Sequence, residues 1–327
     1  MTGGAHGASG SGRPPTAGGF AQTLAAIHHS GPWKRLRRRM RTWRSGILWS
    51  RRARPVPRPV SSRVIVSLTT SPLRIKTLDR VVRTLLNQSC APDEVHLNIP
   101  HVFRRTGEGY VIPEWCRTID PRVKVFRVDD AGPATKSLPT IFRYGPGEDV
   151  VIVFVDDDIL YLQRTLEVHL DAIARDRGCV YGFTGYDILP GHRLRHGRGN
   201  VDVEVLEGWG SIAFHRSAVG EGLEAYVEAA HRSRACFAQD DYTLSNWFAL
   251  RGVRRRVLDD PRASFRMMRA RGAQLDIGYL DDAIHRGHEL DTGLPLLRHP
   301  EIEAHLRSVG MWALGRAAER GAEVAVR

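Results

Sequence analysis

The chain has 327 residues, 42% hydrophobic and 26% charged, an ordinary globular composition with room for one large domain or two small ones. Its formal net charge of +12 is uneven: residues 1–63 hold 13 of the 48 Lys and Arg and no acid, and the rest, with 35 basic and 36 acidic residues, is close to neutral. The basic balance therefore gives no ground for reading the core as a nucleic-acid binder, and no apolar run approaches the ~18 residues of a membrane-spanning helix.

From Met1 to about Gly19 the chain is Gly, Ser, Ala and Pro and reads as disordered. Trp33, Leu36, Met40, Trp43 and Ile47 then recur at steps of three and four, one stripe of an α-helix over about 33–50. Lys34, Arg35, Arg37, Arg38, Arg39, Arg41 and Arg44 fill its other faces. An apolar stripe with Trp and a cationic remainder suits an anionic membrane surface, where each basic residue contributes about 1 kcal/mol. The same residues also read as a disordered basic arm, or as a helix packing its stripe on the core. Nucleic acid is the weakest reading, because no recognition module follows. Residues 1–62 are thus expected to be a basic tail, with Arg54-Pro-Val-Pro-Arg-Pro59 as a stiff linker.

The first thirty residues lack the apolar segment that secretion needs. Cys90, Cys116, Cys179 and Cys236 have no metal-binding spacing and read as reduced thiols. The expected location is cytoplasmic, peripheral at the inner face of the cell membrane.

From Val64 strand-like and helix-like segments alternate. Val64–Thr69, Glu94–Ile99, Val123–Val128, Val150–Val155 and Cys179–Thr184 read as strands. Lys76–Gln88, Ser137–Tyr144 and Leu160–Arg175 read as helices, and about 301–327 as a C-terminal helix. The alternation predicts an α/β fold, Rossmann-like, with a mostly parallel central sheet flanked by helices. Such sheets bind ligands at the carboxyl ends of their strands.

That is where Asp156, Asp157 and Asp158 fall, directly after Val151-Ile-Val-Phe-Val155. Three adjacent like charges at the end of a buried strand are costly unless a cation lies among them. Hard carboxylate oxygens suit Mg²⁺ or Mn²⁺, which complete their shell with water and substrate phosphates. The triple Asp therefore predicts a nucleotide diphosphate or triphosphate ligand. A solvated acidic turn is the competing reading.

Val151–Tyr161 resembles the DxD segment of GT-A glycosyltransferases, in which a strand delivers aspartates to a metal-bound nucleotide sugar. Four further pieces follow in the same order: Val66–Ser89 resembles the first strand, nucleotide-side loop and first helix; Gly132–Thr140 the basic loop before the metal strand; Gly208–Arg216 the acceptor-side strand; and Ala238–Val253 the acidic pair that opens a helix ending in Gly. Together they cover about Val64 to Leu258 and look most similar to bacterial family-2-like enzymes of polysaccharide or glycolipid assembly. The resemblance implies a GT-A catalytic domain over 63–300, with a nucleotide half at about 63–160 and an acceptor half at about 161–300.

It also implies roles. Asp158 would hold the metal, and Asp156 would reach the ribose or a metal-bound water; Asp157 is the middle residue. Thr69, Thr70 and Arg74 would meet the nucleotide, and Lys136 would neutralise the diphosphate as a point charge. Eleven residues before Gly252 lies Asp241, at the family's catalytic base; Asp240 stands where the usual Glu does, which leaves open which of the two acts. Helix N-terminal acids also serve as caps, and both readings can hold together. Trp209 and Gly210 would form a wall for a sugar ring, and His288, in preference to His285, a late metal ligand. The donor is a nucleotide-diphosphate sugar, UDP favoured, and the acceptor a glycan or a lipid-linked group. A nucleotidyltransferase using the same carboxylates, and a non-catalytic basic-arm protein on a degenerate fold, are the competing functions.

Overall fold

The computed structural model describes residues 52–263 and 299–315, all in the compact unit that begins at Trp49. The helix expected over 33–50, both His285 and His288, and residues 316–327 lie outside the described residues.

The continuous apolar runs become strands covered on both faces. In chain order the strands are β1 (Arg63–Leu68), β2 (Glu94–Pro100), β3 (Val102–Phe103), β4 (Glu108–Gly109), β5 (Val123–Val128) and β6 (Val150–Phe154), then β7 (Cys179–Gly182), β8 (Gly185–Leu189), β9 (Arg193–His196), β10 (Val205–Leu206), β11 (Ile212–His215) and β12 (Arg254–Val257). Seven form the central sheet in the order β12-β7-β11-β6-β1-β2-β5. Every neighbouring pair in it is parallel except those made by β11, which runs antiparallel to both β6 and β7. The α/β fold with a mostly parallel central sheet flanked by helices is therefore present.

Alternate residues of β1 and β6 enter two separate cores. Val64, Val66, Leu68, Val151 and Val153 pack on one face with Val81, Leu85, Leu166 and Leu170. Ile65, Ile152 and Phe154 pack on the other with Leu138, Ile141, Phe214 and Tyr242. A strand buried on both sides has no polar face, which is why these segments read as unbroken apolar runs. Because β11 is antiparallel to β6, with Ile212 opposite Phe154, the chain entering β11 lies at the same rim as the end of β6.

Four boundaries differ from expectation. The fold begins before Arg63: Ala53 N–H donates to Asn87, Val56 N–H to Ser89, and Arg58 reaches Asp93 at 2.7 and 3.0 Å. The Pro-rich linker is thus strapped to the domain by an ion pair that a local reading does not show. The first helix is split into a 3-10 turn at Arg74–Thr77 and an α-helix at Asp79–Leu86. The helix expected from Leu160 starts at Thr165, because Asp157, Asp158 and Tyr161 are held by partners in other elements, Tyr161 N–H donating to Thr84. The C-terminal helix spans His299–Ser308 and stops before Gly310, whose φ is 70°. Among the described residues no helix is long and apolar enough to cross a membrane. All four cysteines are buried free thiols, and burial pushes each up to about 11, which leaves them unreactive.

Glu167 joins three segments at the start of helix Thr165–Arg175. It accepts from Ser89 at 2.7 Å, Arg164 Nε at 2.8 Å and Arg262 Nη1 at 2.9 Å. These bonds, Arg164's foremost, hold its carboxyl down at about 2. A depressed carboxyl stabilises the fold fully above its unfolded value of 4.5, and that stabilisation is lost as the pH falls toward 2. Glu167→Gln should cost about 1–3 kcal/mol in urea unfolding at pH 7, the arginines being partly solvent-screened. The gap to the wild type should narrow below pH 4.5; a gap independent of pH would contradict this assignment.

Candidate active site

The chain places five acids at the carboxyl rim of the sheet. Asp156, Asp157 and Asp158 follow β6, and Asp240 and Asp241 open the helix Asp240–Leu250. Lys136 ends a 3-10 turn, Gly132–Lys136, that lies over β1 and β2. A buried polar cluster holds this turn down: Ser67 donates to the Lys136 carbonyl, Ser67 and Thr140 share a hydrogen bond of 2.7 Å, and Asn98 donates to both hydroxyls at 3.0 Å. With the backbone so fixed, the Lys136 ammonium stands 3.0 Å from Asp156, 3.2 Å from Asp240 and 3.9 Å from Asp241. One cation thus joins the strand-end acids to the helix-start acids, more than eighty residues away in sequence. Burial pulls Lys136 down, but the three carboxylates more than reverse this and hold it well above its ordinary value.

Arg74 serves the other two acids. Its Nη1 lies 2.6 Å from Asp157 and its Nη2 2.9 Å from Asp158, with all three side chains at least nine-tenths buried. Thr70 donates to the second oxygen of Asp157 at 2.6 Å, and Thr69 donates to the Asn98 carbonyl. Both threonine hydroxyls, expected to face a nucleotide, are therefore engaged within the protein. Arg74, expected at the nucleotide base, and Lys136, expected on the diphosphate, here neutralise aspartates instead.

Five carboxylates share two cationic side chains, so negative charge remains in excess. Burial, then Asp157 and Asp156, raise Asp158 to about 7 against the pull of Arg74. Burial is also the main cause of the raised Asp157, and Arg74 and Thr70 oppose it. Asp241 rises well above the usual carboxylate range, by burial first and by Asp240 next. Its side chain keeps 28% exposure, yet its Oδ1 is shut away from solvent with no hydrogen-bond partner. Asp240 Oδ2 is also without a hydrogen bond; Lys136 reaches it as an ion pair only.

The acids fit a hard divalent cation in one respect and not in another. Among the described residues no three His, Cys, Asp or Glu gather into a metal-binding group. Asp156 Oδ2 and Asp158 Oδ1, however, have no polar partner among the described residues, and both are hard oxygens in a region of surplus negative charge. Two such carboxylates suffice for Mg²⁺ or Mn²⁺, which take their remaining ligands from water and phosphate.

Trp209 and Gly210 belong to a second 3-10 turn, Gly208–Gly210, at the entry to β11. Trp209 is half-buried and packs against the core, so part of the ring expected to form a wall is already covered. The residue of this turn that touches the acids is Gly208, which the sequence reading passed over. A Cβ there would lie 2.7 Å from Lys136 Nζ and 2.8 Å from Asp241 Oδ1. The signal was the repeated glycine in Gly-Trp-Gly, one of which admits a close approach rather than a sugar. The buried supports Ser67, Asn98 and Thr140 were missed as well, though polar residues inside apolar strands mark them.

No protein-family model and no curated protein matches this chain. Among the solved structures that resemble it is GalNAc-T7 with UDP, GalNAc and Mn²⁺, at 11% identity and a TM-score of 0.43. The match covers 62% of this chain and 42% of that one, less than half of the neighbour's length, and carries no chemistry across.

Lys136 supplies the only cationic side chain that the described residues bring to Asp156, Asp240 and Asp241. Lys136→Met should lose about 3–5 kcal/mol at pH 8, because three acids are left facing one another in a buried setting. Part of the loss should return as the pH falls and the acids take up protons. A urea midpoint equal to the wild type at pH 8 would rule out this electrostatic role.

Proposed function

We propose that this chain is a metal-dependent glycosyltransferase of the GT-A type, family-2-like and inverting, which moves a sugar from a nucleotide diphosphate to a glycan or lipid-linked acceptor. The observation that carries the reading is the Lys136 junction. Carboxylates at a strand's end and a carboxylate pair at a helix start converge on one ammonium, so a metal-and-phosphate function and a proton-accepting function lie side by side.

In this reading Asp156 and Asp158 hold Mg²⁺ or Mn²⁺, which when bound offsets charge growing on the departing diphosphate. Asp241 accepts the proton of the acceptor hydroxyl. Its partial exposure leaves it open to an acceptor, and the Lys136 ammonium beside it favours the ionised form that a base needs. Asp240, deeper and paired with Lys136, positions Asp241. Arg74 keeps Asp157 and Asp158 in place until the donor arrives. Gly208 leaves room for Lys136 and Asp241 to share one corner. The basic segment 33–50 would hold the enzyme at an anionic membrane surface on the cytoplasmic side, and UDP is the favoured nucleotide.

The test is product release from a panel of nucleotide sugars with Mn²⁺ or Mg²⁺. Nucleoside diphosphate should appear, and Asp241→Asn should slow its formation by about 10²–10⁴-fold while donor binding persists. Donor-induced thermal stabilisation should vanish with EDTA and in Asp158→Ala. Gly208→Ala should remain folded and lose most turnover. Pyrophosphate as the product would instead assign nucleotidyl transfer, and the absence of stabilisation by any nucleotide with metal would end both readings.

A further inference from the structure

The structure has a concavity, with a cavity volume of about 420 Å³, that none of the roles above uses. This is the size of a small-molecule site. One wall is the β3–β4 turn with Arg104 and Arg105. Another is Gly132–Pro133, in the same turn as Lys136, and a third is the segment from His231 to Ala238, just before Asp240. Gly132, at φ 66°, allows two walls to meet: a Cβ there would come within 2.8 Å of the Phe237 carbonyl and 2.9 Å of its ring.

The lining is cationic. Arg104, Arg105, Arg232 and Arg234 surround a single acid, Asp130. That acid is turned inward: one oxygen accepts from Arg104 N–H at 2.8 Å, and the other from Gly132 N–H at 2.8 Å and Thr135. Arg232 has an exposed partner, Glu228, at 3.5 Å. Arg104 and Arg234 have no acidic partner among the described residues. The Arg104 guanidinium is instead held 5.0 Å above the Phe237 ring, an arrangement that fixes a planar cation without neutralising it.

We propose that this cavity is a subsite for an anionic group, a phosphate or a carboxylate, carried by the acceptor; the assignment to the acceptor rests on the glycosyl-transfer reading above. The donor-side residues Thr70, Arg74 and Asp156–Asp158 do not line it. Its walls are continuous with Lys136 on one side and with Asp240 on the other. The pKa of His231, lowered chiefly by burial, is raised by Asp240 and lowered by Arg104, so the cavity and the acidic pair are within electrostatic reach of each other. Guanidinium groups bind both anions through paired N–H donors.

The experiment uses the full chain at low ionic strength with EDTA, titrated calorimetrically with inorganic pyrophosphate and, separately, with glucuronate. Wild type should bind at least one, and which one distinguishes a phosphorylated from a carboxylated source. Arg104→Ala with Arg234→Ala should weaken that binding at least about tenfold, the loss of one charged hydrogen bond or more. Both arginines are exposed, so folding is not at risk, and the double Lys variant should retain part of the binding. No binding to wild type, or equal binding to the double Ala variant, overturns the subsite. This measurement needs no turnover, so a protein that binds the anion but consumes no nucleotide sugar refutes the transferase reading and the acceptor assignment, and leaves the cavity an anion site. With an active enzyme, matched neutral and anionic acceptors decide the assignment. KM for the anionic acceptor alone should rise about tenfold or more in the double Ala variant, with kcat and donor KM within about twofold. An equal change for both acceptors overturns it.

Discussion

The site depends on one shared cation. Lys136 lies within ion-pair distance of Asp156, Asp240 and Asp241, and is the cation that offsets their mutual repulsion. Its position follows from the backbone beneath it. The 3-10 turn that carries Lys136 is tied to the sheet through Ser67, Asn98 and Thr140, a cluster in which each hydroxyl finds a partner. A turn anchored by buried hydrogen bonds does not drift, so the ammonium it presents is a fixed point around which both acidic groups are organised.

A second constraint is the imbalance between acids and bases. Arg74 and Lys136 together leave the five carboxylates with surplus negative charge, and burial answers that surplus by raising Asp158 and Asp241. A protein that only needed to be stable would not carry this arrangement, since apolar residues in the same positions cost nothing in desolvation. In the proposed reading, a divalent cation arriving with phosphates would offset that surplus. The cavity lined by Arg104 and Arg234 carries the opposite sign of charge, and its walls continue into the turn of Lys136 and the segment before Asp240.

Much of the fold was legible in the chain. Val150–Phe154 and Arg63–Leu68 are unbroken apolar runs because both faces of the sheet are covered, and Asp156–Asp158 had to fall at a strand's end because three acids cannot continue such a run. The acidic pair at a helix start, Asp240–Asp241, was legible for the same local reason. The start of the helix after the acids was not, because Thr165 becomes its first residue only when Tyr161 and the aspartates are drawn to Thr84, Thr70 and Arg74 in distant elements. Likewise Arg58 strapping the linker to Asp93 is a contact between segments that no local pattern joins.

The sequence by itself determined the alternation of strands and helices, the uneven placement of positive charge, and the kinds of residue that collect at strand and helix ends. These follow from periodicity and solvation, which act between near neighbours. Only the tertiary structure decided which acid meets which base. Arg74 could as well have met a ligand, but the parallel pairing of β1 with β6 gives it to Asp157 and Asp158. Gly208 is one glycine among many until an antiparallel β11 brings it against Lys136 and Asp241. Ion pairing depends on distance in space, and distance in space is a property of the packed sheet rather than of any segment in it.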